Sequence, residues 1–391
     1  MTLVHRCLLA AVVVSLGLFA LAAEPGGNKP DVVAPVPAPG EKPLIQLALL
    51  LDTSNSMDGL IDQARSQLWT VVNHLARTKK DGQTPRLEVA LYEYGNEGIN
   101  RQSGWVRQVL AFTDDLDAVS EKLFALRTNG GEEYCGHVIK AALNDLKWSD
   151  KVGVYKTLFI AGNEPFTQGP TDYHSACETA SARGVIINTI HCGDQATGIN
   201  GKWDDGARFG GGKFLCIDSN KAIVAISAPQ DAEIATLSSK LNGTYVPYGA
   251  RGAQNAERQV AQDAAATTAP AAAAAGAPLL RAQSKASSLY RNGSWDLVDA
   301  VVNEKTVKLE DVKEAELPEA MRSMTPEQRK AHIDAQAKAR GDIQQKIKSL
   351  SADREKFIAE KRRETAAGDA NTLDTAILSA VGEQLKAKKF E

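Results

Sequence analysis

Three oxygen-bearing side chains follow a short apolar run near the start of the chain. The run at 47–51 reads L-A-L-L-L, and Asp52, Ser54 and Ser56 follow it in the pattern D-x-S-x-S. Carboxylate and hydroxyl oxygens suit a hard divalent cation such as Mg²⁺ or Mn²⁺, whereas Zn²⁺ prefers nitrogen and sulfur. The pattern therefore indicates a cation site, unless the two serines only cap a following helix.

The residues before this loop determine where its side chains would lie. The apolar run is too short to span a membrane, which takes about 20 residues. It suits a strand that is buried on both faces of a parallel sheet. Side chains that directly follow such a strand lie at the carboxyl edge of the sheet, where ligands bind in open α/β folds.

Strand and helix patterns alternate through the region 43–249. Helical spacing of apolar residues is clearest at 61–75. Candidate strands lie at 44–51, 87–94, 106–112, 154–161, 185–191 and 213–217. This order predicts an α/β fold with a Rossmann-like, doubly wound, mostly parallel six-stranded sheet.

The strand and the D-T-S-N-S loop resemble the von Willebrand factor A family, whose metal-ion-dependent adhesion site opens in this way. The resemblance covers 43–249 and implies one antiparallel edge, formed by 87–94 and 106–112. It also implies that the top of the sheet docks a protein ligand, with Mg²⁺ or Mn²⁺ as a possible bridge. N-E-P-F-T-Q-G at 163–169 and S-W-D-L-V-D-A, with Trp295 and Asp296, are similar to exported bacterial proteins that carry this domain.

A second loop of the family site supplies a threonine, usually just after a pair of glycines. The corresponding stretch at 128–136 reads T-N-G-G-E-E-Y-C-G, and Glu132 occupies the threonine's place. Thr128 precedes the glycines and could reach the site only if the loop folds back. The resemblance therefore leaves Thr128, Glu132 and Glu133 as alternative ligands, and a carboxylate there would strengthen cation binding.

A third loop supplies an aspartate in the family, and here the chain departs from the pattern. Alignment on Glu164-Pro165 puts Gly162 at the aspartate's position. Asn163 and Glu164 offer oxygens at neighbouring positions. The motif is thus incomplete, which leaves open a functional cation site or a vestigial one.

Four residues near these loops are candidates for contact with a partner. Asp58 adds a carboxylate after the first loop, although acidic residues are common in the first turn of a helix. Tyr134, Phe166 and Trp203 are candidate rim aromatics, a residue class that often anchors interfaces. Alternatively, each aromatic side chain simply packs within the domain and contacts no partner.

Charge and motifs limit the function classes. With 45 basic and 48 acidic residues, the chain shows no basic field for nucleic acid. It has no hydrolase, zinc-protease or nucleotide-binding motif in the required context. We therefore expect a binding module rather than an enzyme.

The first residues indicate export to the periplasm or the exterior. A basic start, an apolar run and small residues at positions 20 and 22 predict a signal peptide over 1–23, followed by a Pro-rich spacer at 24–42. No membrane span is expected after cleavage. The remaining cysteines are expected to form disulfides of undetermined pairing: Cys135, Cys177, Cys192 and Cys216.

Composition shifts after the predicted domain. The Ala-, Gln- and Pro-rich stretch at 250–288 predicts a flexible tether, and 289–391 predicts an α-helical region. Apolar residues near heptad spacing, interrupted by Arg354, indicate either a self-associating coiled coil or a helix packed on its own domain. The alternative function is therefore a structural or assembly protein that oligomerises through these helices and keeps a vestigial metal site.

Overall fold

The computed structural model describes residues 42–365 and 372–391. The predicted signal peptide at 1–23 and nearly all of the spacer at 24–42 lie outside the described residues. Within the described residues, no helix has the length and apolar composition to cross a membrane.

A six-stranded sheet forms the centre of the fold, with strand order β3-β2-β1-β4-β5-β6. The strands are β1 (Leu44–Asp52), β2 (Arg86–Tyr94), β3 (Val106–Thr113), β4 (Tyr155–Gly162), β5 (Ile186–Cys192) and β6 (Gly211–Ile217). β3 runs antiparallel to β2, and every other pairing is parallel. The predicted fold class and its antiparallel edge are confirmed.

Helices cover both faces of the sheet. They are α1 (Asp58–Leu75), α2 (Leu116–Ala125), α3 (Cys135–Asp145), α4 (Tyr173–Ala182), α5 (Gln195–Asn200), α6 (Trp203–Phe209), α7 (Asp231–Asn242), α8 (Gly252–Thr268), α9 (Pro270–Ala274), α10 (Ala277–Lys285), α11 (Glu319–Arg322), α12 (Pro326–Thr365) and α13 (Leu373–Ala387). The odd-numbered apolar residues of β1, from Ile45 to Leu51, share a core with α1. Ala48 and Leu50 share a second core with α3 and α4 on the opposite face. Burial on both faces explains the unbroken apolar run of β1.

The prediction of a flexible tether at 250–288 is wrong, because this stretch forms α8, α9 and α10. Its apparent helix breakers lie at helix boundaries: Pro270 and Pro278 occupy first turns, where proline is tolerated. Gly276 separates two of the helices with a positive φ of 75°. The stretch therefore packs as part of the domain.

Buried ion pairs fix these helices to the sheet domain. Arg281 is 1% exposed, and its Nη1 donates to Asp117 Oδ1 on α2 at 2.6 Å. Its Nε donates to Asp263 Oδ1 on α8 at 2.5 Å, and Lys285 Nζ lies 2.9 Å from Asp263 Oδ2. Tyr290 completes the cluster with a hydrogen bond to Asp117 Oδ2 at 2.5 Å.

The C-terminal region is helical, as predicted, and it packs on the sheet domain. Ile347 of α12 is fully buried in the core that contains α1, and Arg354 Nε donates to Asp231 Oδ1 of α7 at 2.7 Å. Arg354, which interrupts the heptad pattern, therefore forms an ion pair within the chain. α13 contributes Leu373 and Ile377 to the same core.

The segment around Trp295 and Asp296 forms a second buried ionic centre. Arg340 of α12 donates through Nη1 to Asp296 Oδ2 at 2.7 Å. Its guanidinium lies 4.0 Å from the ring centre of Tyr245, which in turn stacks on Trp295 at 5.7 Å. These residues fix α12 against the chain that leaves α7.

The four cysteines are free in this structure, contrary to the predicted disulfides. Cys216 pairs in register with His191, so Cys192 is offset by one residue on the neighbouring strand. Since successive side chains of a strand point to opposite faces, the two thiols diverge. Cys135 Sγ instead lies 3.9 Å from the Tyr94 hydroxyl.

Replacement of Arg281 by Met is expected to lower the free energy of unfolding by about 3–5 kcal/mol, because Asp117 would remain buried without its cation. Urea denaturation followed by circular dichroism measures the change. Arg251→Met, at an exposed arginine beside α8, is the control and should be nearly neutral. Equal effects of the two substitutions would contradict a stabilising role for the cluster.

Acid should weaken the same cluster. Burial alone would raise the pKa of Asp263, but the charges of Lys285 and Arg281 hold that pKa below its ordinary value. A carboxylate with a lower pKa in the folded state stabilises above its unfolded pKa of about 3.9, and this contribution is lost as the pH falls through the folded pKa. Unfolding free energies measured from pH 6 to pH 3 should therefore decline less steeply in Asp263→Asn than in the wild type. Glu257→Gln, at an exposed carboxylate on the same helix, should keep the wild-type slope.

Candidate functional site

The first loop brings the three predicted oxygen ligands together at the carboxyl end of β1. Asp52 is fully buried, and its Oδ1 accepts a hydrogen bond from the Ser54 backbone N–H at 2.8 Å. The hydroxyl oxygens of Ser54 and Ser56 lie 3.3 Å apart. Neither serine caps α1 or the short 3₁₀ turn before it through its side chain. Helix capping therefore does not account for either hydroxyl.

The second oxygen of Asp52 is the least satisfied polar atom of the site. Asp52 Oδ2 is buried and has no hydrogen-bond partner within the described part of the chain. Burial raises the pKa of Asp52 to about 7, against the backbone N–H and hydroxyl of Ser54 and the nearby backbone N–H of Asn163, and the charge of Glu164 adds to the rise. A buried acceptor without a partner is costly and calls for a proton or a cation.

Glu133 lies beside Asp52, on the second loop. A Cβ atom on Gly95 would be 2.8 Å from Glu133 Cγ and 2.9 Å from Asp52 Oδ1, so the two carboxyl groups flank the same glycine. Burial raises the pKa of Glu133 to about 7, and the charges of Asp52 and Glu164 raise it further. The site thus holds two neighbouring buried carboxyl groups that destabilise each other when both are charged.

The other two residues predicted for the second loop lie further out. Glu132 is exposed. The Thr128 hydroxyl donates to the Asp58 carboxylate, which joins the second loop to the start of α1. Of the three alternatives, Glu133 is the one that the structure places beside Asp52.

The third loop has no room for the family aspartate. A Cβ atom on Gly162 would lie 2.5 Å from the Tyr94 hydroxyl and 3.0 Å from Asp52 Oδ2. Tyr94 donates to the Ala161 carbonyl at 3.0 Å, so its phenol occupies the space beside Gly162. Sequence reasoning missed Tyr94 and Gly95, although both lie at the carboxyl end of β2, next to β1 in the sheet.

Asn163 and Glu164 approach the first loop from the third. Asn163 Oδ1 accepts a hydrogen bond from Ser56 Oγ at 3.5 Å. Glu164 Oε2 accepts from Gln168 Nε2 at 3.4 Å, while Gln168 Oε1 accepts from the Glu133 backbone N–H at 3.2 Å. Gln168, also missed from the sequence, therefore links the second and third loops.

The predicted partner contacts at Phe166 and Trp203 are wrong, because both side chains are buried. Phe166 is 0% and Trp203 1% exposed, and their rings pack at 5.0 Å between centres. Trp203 Nε1 donates to the Glu164 carbonyl at 2.9 Å and so positions the third loop. Tyr134 is half-buried and packs edge-to-face on Trp105 at 5.3 Å, where it remains accessible to a partner.

The donor set fits a hard cation only when hydroxyl and amide oxygens are included. Among residues 42–365 and 372–391, no three Asp, Glu, His or Cys side chains converge closely enough to hold a metal ion. The oxygens of Ser54, Ser56 and Asn163 supplement the carboxyl groups of Asp52 and Glu133. The unpartnered Oδ2 of Asp52 is a free ligand atom within this all-oxygen set, which suits Mg²⁺ or Mn²⁺.

No protein-family model and no curated protein sequence matches this chain. Solved structures similar to it include proximal thread matrix protein 1 of the mussel byssus, at 11% identity and a TM-score of 0.32, over 45% of this chain and 42% of that one. An aerotolerance-related membrane protein of Bacteroides fragilis aligns at 16% identity and a TM-score of 0.31, over 45% of this chain and 93% of its own. The SpRpn10 VWA domain aligns at 15% identity and a TM-score of 0.34, over 44% and 88%.

These likenesses are weak, and the chain spans less than half of the mussel protein. At such TM-scores they carry no argument about this molecule. The assignment of the fold depends on the strand order and on the antiparallel edge, which the sheet itself provides.

A methyl group at Gly162 should destabilise the fold through Tyr94. Gly162→Ala is expected to lower the unfolding free energy by about 1–3 kcal/mol, because its Cβ overlaps the Tyr94 hydroxyl. In the double variant with Tyr94→Phe, the total loss should be smaller than the sum of the two single losses. Gly382→Ala, in an open position of α13, is the control and should not destabilise. Strict additivity of the first two substitutions in urea denaturation would contradict the contact.

Proposed function

We propose that this chain is a non-enzymatic protein-binding module that acts outside the cytoplasm and docks its partner at the carboxyl edge of the sheet. Mg²⁺ or Mn²⁺, held by Asp52, Ser54, Ser56 and Glu133, is part of that face. The observation that carries the proposal is the buried, unpartnered Oδ2 of Asp52 beside a second buried carboxyl group.

Electrostatics supports the cation. Two neighbouring carboxylates that are removed from water are costly unless a proton or a positive ion compensates them. Burial brings the pKa of Asp52 to about 7 and that of Glu133 to about 7, so near neutral pH a cation competes with protons for the same two groups. When bound, the ion would supply a positive charge and a coordination position to a partner's oxygen.

The surface around the loop supports docking. Ser56, Asp58 and Glu132 are exposed, and Asn163 and Tyr134 are half-buried at the rim. A partner can therefore reach the outer oxygens while Asp52 stays beneath them. The rim aromatic adds the kind of anchor that protein interfaces favour.

Two histidines on nearby helices are held by other polar groups. His137 Nδ1 lies 3.1 Å from the Thr171 hydroxyl, and His174 Nε2 lies 2.7 Å from Asp205 Oδ2. Neither contact sets a histidine as a base against Ser54 or Ser56, as nucleophilic catalysis requires. Export is inferred from the signal pattern at 1–23.

The alternative of an assembly protein has less support. Ile347 and Arg354, which lie on the near-heptad seam of α12, are buried against the chain's own helices. Self-association through this seam would require those contacts to be replaced.

Addition of Mg²⁺ should stabilise the wild-type protein and leave Asp52→Asn unchanged. At a hundredfold excess over its dissociation constant, an ion that binds only the folded state adds about 2.7 kcal/mol. Asp52→Asn keeps the Oδ1 acceptor and removes a buried charge, so its stability in EDTA should not fall below that of the wild type.

Thermal denaturation and calorimetric titration with Mg²⁺ alone measure both effects. Glu133→Gln should also weaken Mg²⁺ binding, whereas Glu178→Gln, at an exposed carboxylate of α4, is the matched control. A Mg²⁺ shift in Asp52→Asn equal to that of the wild type would place the ion elsewhere and refute the site.

A further inference from the structure

A second concave surface, remote in sequence from the loops of the cation site, lies between the segment 301–310 and the first turns of α12. We call it the valine groove. Its volume is about 870 Å³, within the range of small-molecule sites. Its floor is formed by aliphatic side chains: Val301, Val302, Val307, Leu309 and Ile333.

The floor of the valine groove is continuous with a hydrophobic core but is incompletely covered. Ile333 is 1% exposed and belongs to the core formed with Leu297, Val298 and Leu317. The valines and the leucine of the floor pack against this core and remain half-buried. Apolar side chains left open together in a concave surface are typical of a ligand site.

The backbone beside the groove departs twice from regular structure. Asp299–Asn303 forms a π-helical turn, in which the Glu304 N–H donates to the Asp299 carbonyl at 2.8 Å. Lys305 follows with a φ of 54°, a left-handed conformation that glycine or asparagine adopts at lower cost. π-helical turns and strained residues occur often at functional sites.

The basic side chains of the groove differ in whether they form ion pairs or hydrogen bonds. Lys330 is paired with Asp334 at 2.5 Å, and Arg329 donates to the backbone carbonyls of Met321 and Arg322. Lys305 and Lys308 are exposed, and within the described part of the chain no ion pair holds either one. Two ammonium groups are therefore free to meet an anion.

Acidic residues also line the groove, so the attraction for an anion is confined to the neighbourhood of Lys305 and Lys308. Glu327 lies in the first turn of α12, where hydrogen bonds from its own backbone N–H and from the Thr325 hydroxyl hold its pKa below the ordinary value. Glu310 is exposed at the edge next to Leu309. The lining contains no aromatic side chain, so a planar ring would find no stacking partner.

We propose that the valine groove binds a single-chain aliphatic carboxylate, with its hydrocarbon tail on the valine floor and its head group paired with Lys305 and Lys308. Branched aliphatic side chains offer a flexible tail continuous dispersion contacts and remove its surface from water. The two lysines give the site its preference for an anionic head. This site is independent of the proposed cation site.

Calorimetric titration of the full chain with octanoate, decanoate and dodecanoate, below their micelle concentrations, tests the proposal. Binding should saturate at one ligand per chain, and affinity should rise roughly fourfold per added methylene. Dodecyltrimethylammonium should bind at least about tenfold more weakly than dodecanoate. Equal affinity for the two head groups, or no dependence on tail length, would overturn the proposal.

Variants separate ligand binding from folding. Lys305→Gly relieves the left-handed conformation and should be at least as stable as the wild type, yet it should bind dodecanoate about tenfold more weakly. Val302→Asp should abolish binding by placing a charge on the floor. Lys313→Gln, at an exposed lysine outside the groove, should bind as the wild type does. Unchanged affinity in Lys305→Gly and Val302→Asp, or tighter binding of an acidic amphipathic peptide than of dodecanoate, would refute the assignment.

Discussion

The buried carboxyl group at the end of β1 is the constraint around which the top of this molecule is arranged. β1 is apolar on both faces and central in the sheet, so its last residue, Asp52, is removed from water together with the strand. One carboxylate oxygen is satisfied by the backbone of the next loop, and the other is left without a partner. Such an arrangement stores unfavourable electrostatic energy that a bound proton or ion releases.

The neighbouring loops accommodate this carboxyl group by leaving space beside it. Gly95 and Gly162 leave room for it, since a Cβ atom at either position would come within 3.0 Å of its oxygens. The Tyr94 phenol lies beside Gly162, and the Glu133 carboxyl group lies beside Asp52 at Gly95. The second buried carboxyl group of the site thus comes from the second loop.

Much of the fold could be predicted because its signals are local. The apolar run of β1 and the alternation of strands and helices specify a parallel sheet, and the D-T-S-N-S loop follows directly from the first strand. The tether prediction is wrong because composition does not reveal position: Pro270, Gly276 and Pro278 lie at helix boundaries, which accept them. Phe166 and Trp203 are buried instead of lying at the rim. Their local sequence does not distinguish an aromatic side chain that faces solvent from one that faces the core. Gly95, Tyr94 and Arg281 gain their roles from partners distant in sequence, which no local pattern reveals.

The position of α13 has a consequence for the order of events during biosynthesis. The backbone N–H of Leu373 is held by Gln63, 310 residues earlier, and Glu391 pairs through its backbone with Lys79. One flank of the sheet and the inner side of α1 thus lack their cover until these late residues have emerged from the ribosome. Until α13 has been synthesised, a nascent chain exposes the apolar side chains of α1 that α13 covers, which favours binding to holdase chaperones.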